Sequence, residues 1–215
     1  RKILNILDKS KIENYLIKNK INIIIHCAAL ARVKECEKNK KKAYKTNILG
    51  TKNVASSVAN CFKKKNLNIK LVFMSSDGVY PSTKGNYKES DKLKPYNYYG
   101  FTKLEGEKIV KKLNDFIIIR TRFFDKNNIK FKYAATNIFN SSIEIKKIYL
   151  YIYKIIKKKF KGVINVGGKK VSDYKKYKKY KKNIKPCDKT VIFNSTNVKL
   201  ASDASLNLKK FNRLI

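Results

Sequence analysis

Short apolar runs alternate with amphipathic stretches along almost the whole chain. "KILNIL" at 2–7 reads as a short strand, and "SKIENYLIKNK" at 10–20 as a helix opened by Ser10 as N-cap, with Glu13 three residues on completing a capping box. "INIIIHCAA" at 21–29 packs four Ile into its first five positions and predicts a strand buried on both faces. In "KKAYKTNILGTKNVASSVANCFKKK" at 41–65, Ala43, Tyr44, Asn47, Ile48, Thr51, Val54, Ala55, Val58 and Phe62 recur at spacings of three and four. That spacing predicts one packed helical face opposite a face of lysines. "IKLVFMSS" at 69–76 is a second buried strand, and a polar loop holding Pro81 and Pro95 leads to a helix at 98–113 and a strand at 115–121.

The second half repeats the alternation. A helix over 141–159 is expected to be capped at Ser141 or Ser142, followed by a strand over 161–168, a lysine-tyrosine helix over 172–182 with a solvated face, and a short strand over 189–194. Strand and helix in alternation imply right-handed crossovers, hence an α/β fold with a parallel sheet covered by helices on both faces. Such sheets bind ligands beyond the carboxyl ends of their strands. There is no internal repeat and no linker long enough to separate independent domains.

Composition modifies this picture in one respect. A formal net charge of +37 would ordinarily suggest nucleic acid or an anionic membrane as partner. Yet Lys, Asn, Ile, Tyr and Phe are enriched together, Arg numbers only 5 and the lysines are spread along the chain, the pattern of an AT-rich coding bias. Phosphate and base recognition favour the Arg fork, so nucleic-acid binding is not expected. No stretch is long enough for a membrane span, and no signal core opens the chain. Cys27, Cys36, Cys61 and Cys187 form no CxxC pair and no ligand spacing with His26. Reduced thiols, no metal site and a cytoplasmic protein are the expectation, and His26 at a strand end reads as packing or a local hydrogen bond.

Tyr99 and Lys103 stand four apart in "YYGFTK". With 14 Tyr and 47 Lys in 215 residues, five such pairs occur, so the spacing alone carries little. Placement separates them. Tyr80/Lys84 straddles Pro81, and Tyr153/Lys157, Tyr174/Lys178 and Tyr177/Lys181 lie on lysine-rich helices. Only Tyr99/Lys103 opens a helix after a loop that leaves a buried strand at "SSDGVY". Residues four apart share a helix face, so phenol and ammonium can point into one cleft with Ser76. A fixed cation there is expected to lower the phenol's pKa by about two to three, worth roughly 3 to 4 kcal/mol.

At this point the chain resembles the extended short-chain dehydrogenase/reductases, and within them the dTDP-4-dehydrorhamnose reductases and their relatives. "IIIHCAA" resembles the family's fourth strand, "AYKTNILGTKNV" the helix after it, "VFMSSDGVY" the fifth strand with its catalytic Ser/Thr, and "YNYYGFTKLEGEK" the catalytic helix. "IIIRTRFF" resembles the sixth strand, and "GVINVGG" with the following "SDY" the late substrate-side segment. The resemblance implies an NADP- or NAD-dependent reductase of a nucleotide-linked 4-keto sugar. In it Tyr99 protonates the carbonyl as hydride arrives, Lys103 lowers the tyrosine's pKa and holds the nicotinamide ribose, and Ser76 hydrogen-bonds the carbonyl oxygen, with Ser75 as the neighbouring choice. It further implies cofactor contacts at Cys27, Ala28, Ala29 and Asn47 beside Tyr99 and Lys103, and substrate contacts at Ser75, Asp77 and Arg122. The bland alternatives stay open: a strand-end serine capping a loop, a mid-helix Asn facing the core, a turn-forming Asp, a surface Arg. A nucleotide-sugar epimerase or dehydratase of the same family is the nearest other chemistry, and assembly into a homo-oligomer is left open.

One departure matters. The glycine-rich turn that takes a dinucleotide's pyrophosphate is nowhere among these residues, whose eight glycines are scattered. On the resemblance, 3–16 matches the family's third strand and helix, so the first two strands are expected to be missing. That leaves 1–125 as an incomplete Rossmann-like unit with the catalytic residues, and 126–215 as a small C-terminal substrate-side region on the same domain. Because the chain opens on Arg1, an N-terminally incomplete sequence of a longer reductase is the leading expectation. The alternative is a member that no longer binds cofactor and serves as a regulatory or binding subunit, as a relative does in methionine adenosyltransferase assemblies.

Overall fold

The computed structural model describes residues 4–196 and 199–215. Helix α1 (Lys9–Lys18) leads into strand β1 (Ile23–His26), then α2 (Val33–Lys38), α3 (Lys40–Ala43), a π-helical turn (Tyr44–Leu49) and α4 (Gly50–Lys65). Strand β2 (Lys70–Ser76) ends in a 3-10 turn (Asp77–Val79), and α5 (Tyr98–Val110) returns the chain to β3 (Phe116–Thr121). Two-residue and three-residue strands follow: β4 (Phe123–Phe124), β5 (Tyr133–Ala135), β6 (Phe139–Asn140) and β7 (Ile143–Glu144). The chain closes with α6 (Ile145–Lys157), β8 (Gly162–Asn165), β9 (Val171–Ser172), α7 (Asp173–Lys178), β10 (Lys185–Cys187), α8 (Lys189–Thr196) and α9 (Lys209–Leu214).

The main sheet is parallel throughout, in the order β1-β2-β3-β8. Alternation along each strand splits the core in two. Leu71, Phe73 and Ile118 point toward α1, α4 and α5, where they meet Ile12, Leu16, Val54, Val58 and Val110. Val72, Met74, Ile117 and Ile119 point the other way, onto Ile148, Ile152 and Ile155 of α6 and Phe211 of α9. The second cluster joins residues from both halves of the chain, so the C-terminal region and the sheet share one core. This is the expected Rossmann-like α/β architecture with helices on both faces.

Several local expectations are corrected. Residues 4–7 are coil and turn rather than strand, and the rest of that run lies outside the described residues. Asp8, not Ser10, caps α1: its carboxylate accepts from the Lys11 N–H at 3.1 Å, while Ser10 donates to it at 2.9 Å. Glu13 is drawn away to Asn60 and Lys64 on α4, so no capping box forms. The long helix is interrupted by its π turn, and Tyr44 and Phe62 lie on its solvent side. Neither Ser141 nor Ser142 caps α6, which starts after β7 at Glu144. Residues 189–196 are helical instead of extended. β1 is not buried on both faces, because among the described residues it is an edge strand with Ile23 and Ile25 open to solvent.

Two glycines bring α5 close to the sheet. A Cβ on Gly100 would lie 2.1 Å from the Gly78 carbonyl oxygen, and one on Gly106 would lie 2.6 Å from the Phe73 ring. The first turn of α5 therefore rests backbone to backbone on the strand end. Asn97 caps it, accepting from the Gly100 N–H at 2.8 Å.

Candidate functional site

At the carboxyl ends of β2 and β3 lies a cavity of about 320 Å³. Five of the residues singled out in the sequence line it: Ser75, Ser76, Asp77, Tyr99 and Arg122. Tyr99 meets Ser76 and Asp77 because the first turn of α5 packs on the 3-10 turn, Gly100 against Gly78. Ser76 does cap that turn, accepting from the Gly78 N–H at 3.0 Å, and donates to Asp77 Oδ1 at 3.2 Å. Arg122 Nε lies 2.8 Å from Asp77 Oδ2, so turn former and surface charge become an ion pair in the cavity wall. Burial pushes the Asp77 carboxyl up, against the pull of Arg122 and the Ser76 hydroxyl. Thr121 Oγ1 is buried without a hydrogen-bond partner among the described residues, and Thr121 also lines this cavity.

The electrostatics of Tyr99 run opposite to expectation. Burial pushes its phenol up to about 12, helped by the nearby Asp77 and Cys36 and opposed by Arg122 and the Ser76 hydroxyl. Lys103 does not pull it down. Lys103 does not line the cavity; its ammonium lies 4.2 Å from the centre of the Phe73 ring and makes no hydrogen bond among the described residues. Burial lowers Lys103 to about 8, with Cys27 and Glu107 acting to keep it charged.

Lys103 therefore belongs to a second locality, at the end of β1. Cys27 and Ala28 are exposed there and line an open groove with His26, and Ala29 follows half-buried. His26 is buried and bonds Thr51 at 3.0 Å from Nε2; because the Thr51 hydroxyl donates to the Asn47 carbonyl at 2.6 Å, the imidazole supplies the proton. Asn47 sits on the π turn and is fully engaged. Its Oδ1 accepts from the Leu30 N–H at 2.7 Å, and its amide donates to the Leu30 carbonyl and to Thr102 at 3.0 and 2.9 Å. It braces the loop after β1 against α5, one residue before Lys103.

Sequence reasoning passed over a buried polar system behind the cavity. Glu107 and Arg120 pair through both carboxylate oxygens, at 2.9 and 2.7 Å. The Ser75 hydroxyl donates to the same carboxylate at 2.6 Å, so its proton is committed away from a substrate. The signal was present: Glu107 falls on the Tyr99/Lys103 helix face, four after Lys103, and Arg120 interrupts an otherwise apolar strand. Lys176 was also missed. It is buried, donating to Asn140, Ser142 and Asp173 at 2.9, 2.7 and 2.7 Å, but nothing marks it within "KKYKK".

Among known families, the model of the RmlD substrate binding domain matches residues 1–143. The chain belongs to this family. Among curated relatives, bovine methionine adenosyltransferase 2 subunit beta is 33% identical over 111 residues, 52% of this chain and 31% of the relative. The dTDP-4-dehydrorhamnose reductase of Aggregatibacter actinomycetemcomitans is 32% identical over 120 residues, 55% of this chain and 39% of the relative. These matches thus span about a third of the relatives' length. Among solved structures, a hypothetical dTDP-4-dehydrorhamnose reductase from Sulfolobus tokodaii superposes with a TM-score of 0.85 at 28% identity, over 100% of this chain and 81% of that one. The Bacillus anthracis dTDP-4-dehydrorhamnose reductase in complex with NADP gives 0.84 at 24% identity, over 98% and 80%, a likeness of fold.

Proposed function

We propose that this protein reduces the keto group of a nucleotide-linked sugar, with Tyr99 as proton donor. The observation that carries the reading is the state of Tyr99 in its cavity. Half-buried in the cavity wall beside Ser76 and Asp77 and pushed up to about 12, the phenol is neutral at physiological pH, as a donor must be. An epimerase or dehydratase would need the same group as a base, and this environment opposes that.

In this reading the substrate carbonyl enters the cavity within reach of Tyr99 and Ser76. As negative charge grows on its oxygen, the Tyr99 hydroxyl transfers its proton, and the Ser76 hydroxyl rotates from Asp77 to donate a second hydrogen bond. Asp77, Arg122 and the Thr121 hydroxyl, which has no partner among the described residues, provide polar contacts for sugar hydroxyls. NADP or NAD, when bound, supplies the hydride. The residues present fit its nicotinamide end: Lys103 has an ammonium without a protein acceptor among the described residues, and Cys27, Ala28 and Ala29 offer small side chains beside it. Asn47 acts here by holding the Leu30 loop in place. Residues 1–125 then form the cofactor-side and catalytic unit, and 126–215 the substrate-side region.

Among the described residues no helix is long and apolar enough to cross a membrane, and the four free thiols suit a cytoplasmic protein. A second reading, a non-catalytic subunit, is favoured by the similarity to methionine adenosyltransferase 2 subunit beta. Kinetics separate the two. With NADPH and a 4-keto nucleotide sugar, the full-length protein is expected to consume NADPH, and Tyr99→Phe to lower kcat by about 10²- to 10⁴-fold while the protein stays folded. Full activity in Tyr99→Phe would remove Tyr99 from the chemistry; no cofactor binding by the full-length protein would favour the subunit.

A further inference from the structure

Three elements converge on one carboxylate behind the cavity. Glu107 lies on α5, two turns beyond Tyr99 and one beyond Lys103, so all three share a helix face. Its side chain is sealed from solvent. One oxygen takes the Ser75 hydroxyl from the end of β2 and Nε of Arg120 from β3, at 2.6 and 2.9 Å. The other takes the second arm of Arg120 at 2.7 Å. The third arm donates to the Tyr80 hydroxyl at 2.8 Å and the Glu89 carbonyl at 3.0 Å. Tyr80 in turn bonds Asn165 Oδ1 at 3.0 Å, at the end of β8. The system thus ties three adjacent strand ends, the loop after β2 and the catalytic helix to one another.

Its position bears on the chemistry. Ser75 is the neighbour of Ser76, and alternation along β2 sends its hydroxyl to Glu107 while Ser76 turns to the 3-10 turn beneath Tyr99. The distance between the Tyr99 and Ser76 hydroxyls is therefore set by how α5 sits on the end of β2. Backbone packing of Gly100 on Gly78 prevents closer approach, but it does not fix sliding or rotation of the helix. Ser75–Glu107–Arg120 fixes both, because a charged, bidentate pair with a third hydrogen bond tolerates little displacement.

We propose that Glu107, Arg120 and Ser75 are positioning residues that hold the Tyr99/Lys103 face of α5 in register with Ser76. This rests on the reading of Tyr99, Lys103 and Ser76 as the reductive site. Ser75, expected from the resemblance as a substrate contact, acts here from behind.

The test uses the full-length protein. Ser75→Ala cuts the link from helix to strand end but leaves the Glu107–Arg120 pair intact, so the variant should fold; Ser75→Thr keeps the hydroxyl. Steady-state kinetics with NADPH and a 4-keto nucleotide sugar are expected to show kcat lowered about tenfold to a hundredfold in Ser75→Ala, KM little changed, and most of the loss restored in Ser75→Thr. Equal kcat in Ser75→Ala and the unmodified protein, with only a lower Tm, would make the link structural and overturn the proposal. A second readout needs no turnover. With ¹³C at the tyrosine ζ carbons and Tyr99 assigned through Tyr99→Phe, the Tyr99 resonance reports its place among Ser76, Asp77, Arg122 and Cys36, the groups that face it. In Ser75→Ala it should shift and its titration midpoint move down toward 10; an unmoved Tyr99 refutes the positioning role even if the protein proves to have no reductase activity. Absent turnover with a moved Tyr99 would sink the reductase reading and leave the positioning claim standing.

Discussion

β3 carries Ile117, Ile118 and Ile119 at the centre of the sheet, and all three are sealed from solvent. β1 carries Ile23, Ile24 and Ile25 at its edge, where Ile23 is 38% and Ile25 48% exposed. The two triplets have the same composition and both pair in parallel register with β2. What differs is the number of neighbours: β3 has a strand on each side and helices above and below, while among the described residues β1 pairs on one side only. The contrast is sharpest at the residue that follows each triplet. His26 is the one buried residue of β1, and Arg120 is among the most deeply buried side chains in the molecule. Isoleucine goes where neighbours allow, whereas the polar residue at each strand end is held by specific partners.

The largest effect is expected at the closed end of this comparison. Glu107→Ala would leave the Arg120 guanidinium buried without its counterion, and breaking a buried pair in this way costs about 3–5 kcal/mol. Chemical denaturation should show that loss. Glu107 and Arg120 replaced together by Met should be far milder, because desolvation of both charges is then avoided. If the single change is as mild as the double, the pair is not the element that closes this end of the sheet.

Next in size is the centre of β3. Ile118→Ala removes a side chain packed between Phe73 and the helices on that face, and core truncations of this kind cost about 2–5 kcal/mol. The same measurement of melting serves for both strands, which makes the pair of variants a direct reading of edge against centre.

His26 tests whether the edge strand is anchored by its polar end. Burial and the Lys103 charge bring the imidazole down to about 4, from an unfolded value near 6.5. The unfolded chain therefore binds the extra proton between these values, and the contribution of neutral His26 to stability, fully present above pH 6.5, is lost as pH falls toward 4. A difference of that size corresponds to about 3 kcal/mol. His26→Gln keeps a donor for Thr51 but cannot ionise, so its stability should fall less steeply over the same window. Parallel pH profiles for the two proteins would show that His26 is not buried as a neutral ring.

These contrasts also mark how much could be read in advance. The order of strands and helices, the parallel sheet, and the meeting of Ser76 with Tyr99 were legible, because apolar runs and strand-end loops follow from local pattern; Asp77 and Arg122 were pointed to only by the resemblance. The burial of β1 was not, since four Ile in five residues read alike at an edge and in a centre. The direction of the Tyr99 shift was missed for a related reason: spacing places Lys103 on the same helix face but says nothing of the Phe73 ring, over which the ammonium lies, or of the burial and the Asp77 charge that act on the phenol. Glu107 and Lys176 are buried among lysine-rich segments where charge normally signals solvent, and only the three-dimensional partners reveal them.

The smallest expected effect bears most directly on the edge. Ile25→Thr exchanges one β-branched residue for another and removes little buried surface, because nearly half of Ile25 already faces water. Its backbone pairing with Val72 is unchanged by the substitution. Surface substitutions of this kind stay within about 0.5 kcal/mol, against several for Ile118→Ala. If Ile25→Thr in the chain of 215 residues instead costs as much as Ile118→Ala, the exposed face of β1 is covered in solution, and the difference between the two strands disappears. A result inside the expected range means that β1 keeps an isoleucine face open beside Cys27 and Ala28, where the proposed cofactor site lies.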